Sequence, residues 1–188
     1  MKIILGSKSQ WRKLVLERAG YQFEVLTAEI DEKAVRSDDY KELPLLLARA
    51  KAKAILPQVH EPALLITSDQ VVVCNGELRE KPENETQARE FLKSYAHYPA
   101  QTNTAVVVIN TQTSKSAEGL DIATIFFKPI PENVIDELII DGKIMTGAGG
   151  YIIEHPLLEP FIDHVDGEVD SVMGMPVKLM AKLMNEVK

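Results

Sequence analysis

The segment Gly6-Ser7-Lys8-Ser9-Gln10-Trp11-Arg12 gathers two hydroxyls and, with Lys13, three cations where a strand-like run gives way to a helical one. Free backbone N–H groups and hydroxyls at a helix N-terminus suit a phosphate. Cations in that first turn oppose the helix dipole unless an anion sits among them. A serine cap with solvated basic side chains fits the same spacing. The segment is not a Walker A loop, because GxxxxGK[ST] occurs nowhere in the chain.

Three further groups carry candidate chemistry. Glu29, Asp31 and Glu32 form an acidic cluster of the kind that holds Mg²⁺, an ion that keeps several waters and bridges substrate phosphates. A charged surface loop has the same composition. Ser68-Asp69-Gln70 interrupts a strongly apolar stretch, and burying a carboxylate there is costly without a partner or a metal. A structural aspartate capping a turn is the plainer reading. Lys51 lies in Leu47-Ala48-Arg49-Ala50-Lys51-Ala52, and Lys81 closes Gly76-Glu77-Leu78-Arg79-Glu80-Lys81 ahead of Pro82. Either could be solvated, and Lys53 reads that way.

Other stretches do not hold up. Gly147-Ala148-Gly149-Gly150 begins like GxGxxG, but Ile152 stands where the third glycine belongs. His60, His97, His155 and His164 lack zinc-site spacing. The stretch from Asp163 to Glu168 lacks the alternating ligands of a calcium loop, and no GxSxG elbow supports a serine hydrolase. Cys74 ends a valine run and reads as core.

The elements that must position these groups alternate short strands with longer helices, the pattern of a layered α/β domain. A strand over 2–5 feeds a helix from about Gln10, with Trp11, Leu14, Val15 and Arg18 on one face and Gly20 just past its end. A second strand is expected over 22–26, and an alanine- and leucine-rich helix near 40–56 stops at Pro57. Residues 63–67 and 71–74 read as two strands, with Ser68-Asp69-Gln70 lodged between them. Asn75-Gly76 is a hairpin turn signal. Asn84 with Gln87 resembles a capping box opening a helix to about Tyr95. A longer hairpin over 104–110 and 117–127, a helix near 131–140 ending at Gly142, and a last helix beginning at Pro176 complete the chain.

Composition narrows the function classes. The 188 residues suit one domain, 45% hydrophobic and 26% charged residues are ordinary globular values, and disorder, collagen and coiled coil are excluded. A net charge of −7 disfavours gripping duplex nucleic acid by its phosphates. A polyanionic small molecule requires a locally basic pocket instead. One cysteine allows no internal disulfide, and no run approaches a membrane span, so a cytoplasmic protein without membrane attachment is the expectation.

In order along the chain, these motifs resemble the Maf family of nucleoside triphosphate pyrophosphatases. The resemblance runs through SxSxxR (Ser7, Ser9, Arg12), E-I-D-E (Glu29 to Glu32), LAxxKA (Leu47 to Ala52) and S-D-Q-V (68–71). It continues through G-x-L-x-x-K-P (76–82), A-G-x-Y (Ala148 to Tyr151) and V-x-G-x-P (Val172 to Pro176). It implies one domain over 1–188, an elongated α/β fold with a curved mixed sheet flanked by helices, and a cleft between two lobes, shared with the inosine triphosphate pyrophosphatases. The implied reaction is hydrolysis of a nucleoside triphosphate to monophosphate and pyrophosphate with Mg²⁺ or Mn²⁺, by a homodimer. Motif-matched roles are Asp69 as proton acceptor for the attacking water, Glu32 with Asp69 at the metal, and Lys51, Lys81, Arg12, Ser7 and Ser9 as phosphate contacts. The chain departs from the commoner pattern at Gln10-Trp11, where Pro-Arg often stands, at Glu80 in place of a glycine, and over 94–104.

Three positions that separate substrate groups in the family hold Trp11, Gln70 and Glu154. That combination resembles the group acting on 7-methyl-guanosine triphosphate (m7GTP) rather than the dTTP/UTP group. A tryptophan face attracts the cationic 7-methylpurine, and Glu154 can accept from the guanine N1–H and exocyclic amine. A dTTP/UTP enzyme and a nucleotide-binding regulator without turnover are the alternatives.

Overall fold

A computed structural model describes residues Met1–Lys188. In chain order the elements are β1 (Lys2–Leu5), α1 (Gln10–Arg18), β2 (Glu24–Val25), α2 (Glu42–Ile55), β3 (Ala63–Cys74), β4 (Glu77–Arg79) and α3 (Glu85–Ser94). There follow β5 (Ala100–Asn110), β6 (Ser116–Phe127), α4 (Glu132–Asp141), β7 (Ile162–Asp166), α5 (Val169–Val172) and α6 (Val177–Glu186). The strands form one mixed seven-stranded sheet of order β2-β1-β3-β5-β6-β7, with β4 pairing β3. This is the α/β architecture the element pattern predicts. No helix is long and apolar enough to cross a membrane.

The chain divides into two compact units, one of Met1–Gln70, Thr104–Asp121 and Met173–Lys188, the other of Val71–Asn103 and Ile122–Val172. In the first, β1 pairs in parallel with both β2 and β3. Parallel neighbours need crossover connections, and α1 and α2 supply them. Side chains alternate faces along each strand. Leu5, Leu64, Ile66, Val106 and Val108 pack on one side with Val15 and Leu16 of α1 and Met180 and Leu183 of α6. Ile4, Ala63, Leu65, Ala105 and Val107 pack on the other with Ala48, Ala52 and Ile55 of α2. Both faces are covered, which explains why these strands read as nearly unbroken apolar runs.

The second unit is built around aromatic rings. Tyr95 stacks on Phe127 with centroids 5.2 Å apart and meets Tyr151 edge-on at 5.6 Å. Leu92, Ile125, Ile135, Leu138 and Ile144 close the same core. Asn75 and Gly76 both take positive φ, 52° and 79°, as a two-residue hairpin of the primed type requires. The Asn84 cap is present, but the reciprocal bond of a capping box is displaced by one residue. The Asn84 side chain accepts from Gln87 N at 2.9 Å, and Gln87 Oε1 accepts from Glu83 N at 2.7 Å, one residue before the cap rather than at it.

Four expectations are corrected. Ser68-Asp69-Gln70 does not split two strands; β3 runs unbroken from Ala63 to Cys74. The second strand shrinks to Glu24–Val25. The buried residues of α1 are Val15 and Leu16, while Arg18 is exposed, because the sheet lies against that side of the helix. Pro176 is the N-cap of α6, not its first helical residue.

Candidate active site

The continuity of β3 explains how its polar triplet is tolerated. Residues 63, 65 and 67 face α2, so residue 69 does too. Thr67 Oγ1 donates to the Ala48 carbonyl on α2 at 2.8 Å, and one turn further along that helix Lys51 pairs with Asp69. Ser68 and Gln70 face the other way. Ser68 Oγ donates to the Gly174 carbonyl at 2.8 Å, and Gln70 Nε2 donates to Thr104 Oγ1 at 2.9 Å. Each polar group thus has a partner, and the strand need not break.

Asp69 is 7% exposed. Its Oδ1 accepts from Gln70 N at 2.8 Å, and its Oδ2 meets Lys51 Nζ. The same ammonium lies 2.8 Å from Glu32 Oε1, so two carboxylates converge on one cation. The other members of the acidic cluster go elsewhere. Asp31 caps a single turn by accepting from Lys33 N and Ala34 N, and Glu29 pairs with exposed Lys8. Of the three, only Glu32 reaches Lys51.

Arg12 lies beside this cluster, half-buried. Burial pushes its guanidinium below the usual arginine value, and the fields of Asp69 and Glu32 offset part of that. Nε donates to the Gly174 carbonyl at 2.9 Å and Nη1 to Ser7 Oγ at 3.2 Å. Ser9 is the N-cap of α1, its hydroxyl accepting from Arg12 N at 3.4 Å, while Ser7 Oγ accepts from Ser9 N at 3.2 Å. The serine-cap reading is therefore correct for Ser9, and Ser7 is held toward Arg12. The turn fits because Gly6 has no side chain: a Cβ there would come 2.6 Å from the Thr67 methyl and 2.7 Å from Ile55 Cδ1. Trp11, next in α1, is half-buried.

Lys81 and Glu154 belong to the second unit. Lys81 is exposed just after β4, and Glu154 is half-buried in a turn before β7. Gly149 N donates to the Glu80 carbonyl at 3.0 Å, and Tyr95 Oη donates to the Gly149 carbonyl at 2.6 Å. The strand end before Lys81 and the glycine loop before Glu154 are thereby tied together. Sequence reasoning gave Gly174 no role beyond its motif, although its carbonyl receives both Arg12 and Ser68. The sole signal for it was the V-x-G-x-P spacing.

Two carboxylates here are of the type that could hold a metal. Glu32 and Asp69 already share one cation, and hard oxygen donors of this number suit Mg²⁺, which takes one or two carboxylates together with phosphates and water. The chain offers two such groups, not a closed set of three or more metal-binding side chains.

The family model described as Maf-like protein matches residues 2–187. The chain belongs to the Maf family. This Maf chain is 46% identical over 98% of its length to a 7-methyl-GTP pyrophosphatase of Dictyostelium discoideum, covering 96% of that protein. A dTTP/UTP pyrophosphatase of Vibrio vulnificus is 30% identical, with 98% of each chain covered. A nucleoside triphosphate pyrophosphatase of Synechococcus is 28% identical, with 98% of the Maf chain and 93% of the relative covered.

Proposed function

We propose that this Maf protein is a nucleoside triphosphate pyrophosphatase that cleaves its substrate to the monophosphate and pyrophosphate. The observation that carries the proposal is the convergence of Glu32 and Asp69 on Lys51 beside half-buried Arg12, in a chain of net charge −7. A polyphosphate repels nucleophiles, so its hydrolysis needs an oriented water, a proton acceptor and cations along the phosphoryl oxygens.

Asp69 orients the water and accepts its proton as the new P–O bond forms and the bond between the α- and β-phosphoryl groups breaks. Pyrophosphate leaves. Lys51 and the Arg12 fork neutralise oxygens of the triphosphate, with Ser7 and Ser9 donating from the turn. Lys81 serves as a further phosphate contact. Glu32 and Asp69 would hold Mg²⁺ or Mn²⁺, which supplies charge neutralisation on the phosphoryl oxygens when bound. The direct test is pyrophosphate release with either metal across a panel of nucleoside triphosphates. EDTA abolishes activity. Release of orthophosphate from the terminal position overturns the assignment of the cleaved bond.

For the base, m7GTP is the proposed substrate, with Trp11, Gln70 and Glu154 as the selecting residues. Trp11 offers a face to the cationic purine, a contact worth ~0.5–2 kcal/mol. Glu154 accepts from the guanine donor pair, which pyrimidines lack. The greater identity to the m7GTP-acting relative than to the dTTP/UTP-acting one supports this reading. kcat/KM is expected to be higher for m7GTP than for GTP, dTTP or UTP. Trp11→Ala erodes the preference for m7GTP over GTP, and Glu154→Gln weakens guanine recognition generally. Equal turnover of dTTP and m7GTP sinks the specificity while leaving the pyrophosphatase reading intact.

A further inference from the structure

His155 follows Glu154 directly and has no part in the chemistry above, yet it is only 6% exposed and bonded on every side. Its N–H donates to the Ile152 carbonyl at 2.9 Å, closing a turn with Ile153 and Glu154 at its centre. Its own carbonyl accepts from Leu158 N at 2.8 Å and Glu159 N at 3.0 Å. Its ring spans two further partners. Nδ1 accepts from Leu157 N at 3.3 Å, which leaves the ring proton on Nε2, 3.1 Å from Asp141 Oδ2. Asp141 is the last residue of α4 and also pairs with Lys143 at 3.0 Å.

We propose that His155, fastened to the end of α4 through Asp141, is the positioning residue that fixes the turn bearing Glu154, and so sets how strongly this protein prefers a guanine base. The proposal rests on the reading of Glu154 as the base-selecting carboxylate. The geometry is direct. Consecutive Cα atoms are held about 3.8 Å apart across a rigid peptide, so releasing His155 frees the backbone that carries Glu154. A carboxylate reading two donors on one base edge depends on alignment, because hydrogen bonds weaken steeply with angle. A short turn of this kind has few ways to hold a side chain to that tolerance. A buried imidazole with both nitrogens engaged is one. The Asp141 carboxyl is held below its usual value, first by Lys143 and then by His155, which agrees with an ionised acceptor at the end of the helix.

The test compares kcat/KM for m7GTP and dTTP in wild type, His155→Ala, Asp141→Ala, Asp141→Asn, Glu154→Gln and the double variant Glu154→Gln/His155→Ala. In His155→Ala and Asp141→Ala the m7GTP-to-dTTP ratio falls about tenfold, the scale of one lost charge-assisted hydrogen bond. The fall comes through the KM for m7GTP, with kcat unchanged. Asp141→Asn keeps an oxygen for Nε2–H and restores the ratio, although it loses the pair with Lys143. The double variant is no less selective than Glu154→Gln alone. Should His155→Ala fail to fold, Asp141→Ala, whose side chain lies at the surface, carries the test. If Glu154→Gln leaves the ratio unchanged, the base-selection reading fails and the proposal with it. If Glu154→Gln lowers the ratio but His155→Ala and Asp141→Ala do not, the positioning role alone is overturned. Additive losses in the double variant overturn it as well.

Discussion

Two arginines, one in each unit, make opposite use of a similar charge. Arg12 is half-buried beside Asp69 and Glu32, with one nitrogen on a carbonyl and another on a serine hydroxyl. Arg79 is 7% exposed, with its guanidinium 4.6 Å from the Phe91 ring centroid and 4.9 Å from that of Tyr95. Its Nη1 donates to Ser94 Oγ at 2.7 Å and to the Phe91 carbonyl at 3.2 Å, at the C-terminal end of α3. That is where a cation complements a helix dipole. Arg79 is thus held by rings and helix-end oxygens, with its buried Nε left without a hydrogen-bond partner, and it braces α3. Arg12 lies at the start of a helix, where the dipole disfavours a cation, and beside two carboxylates whose fields favour it.

The comparison can be broken at several points. The largest effect belongs to the cluster that Arg12 serves. Asp69→Asn keeps the shape but cannot accept a proton, and kcat is expected to fall ~10²–10⁴-fold with nucleotide binding preserved. Calorimetric binding alongside steady-state rates checks it, and a variant keeping more than about a tenth of wild-type kcat excludes Asp69 as the base. Arg12→Ala comes next, with kcat/KM lower by ~10–100-fold, the scale of a lost hydrogen bond to a charged group. Its thermal unfolding moves little, because Gly174 keeps its bond from Ser68. Arg79→Met inverts that result, losing about 1–3 kcal/mol of stability in denaturant melts, with kcat unchanged. If Arg79→Met instead cuts kcat at wild-type stability, the two arginines do not differ as described. The smallest effect sharpens the picture of α3: Asn84→Ala removes the cap at its other end and costs about 1 kcal/mol by urea titration, with no change in kinetics.

Features resting on local chemistry were legible in the sequence. The Ser9 cap of α1, the Asn75-Gly76 hairpin, the Asn84 cap, the Gly142 stop and the lysine on the alanine-rich helix all depend on residues a few positions apart. The strand through Asp69 was misread for a physical reason. Three polar residues in an apolar run resemble a loop unless their partners are known, and those partners lie 18, 34 and 106 residues away. Glu32 and its acidic neighbours look alike in composition, yet one pairs with Lys51, one caps a turn and one meets Lys8. Only the folded chain separates them. Arg79 was visible as a hairpin residue, but its burial depends on two rings of the α3 segment that no local pattern announces.

The Gly174 carbonyl joins Ser68 from 106 residues away and Arg12 from 162. Contacts of such separation carry a large loop-closure cost and form slowly relative to local helices and hairpins. A refolding chain therefore regains helical signal before Arg12 and Ser68 share their acceptor. On the proposed role of Arg12 as a phosphate contact, nucleotide binding becomes a clock for the end of folding, and the lag between recovery of ellipticity and recovery of ligand binding measures how late the junction closes.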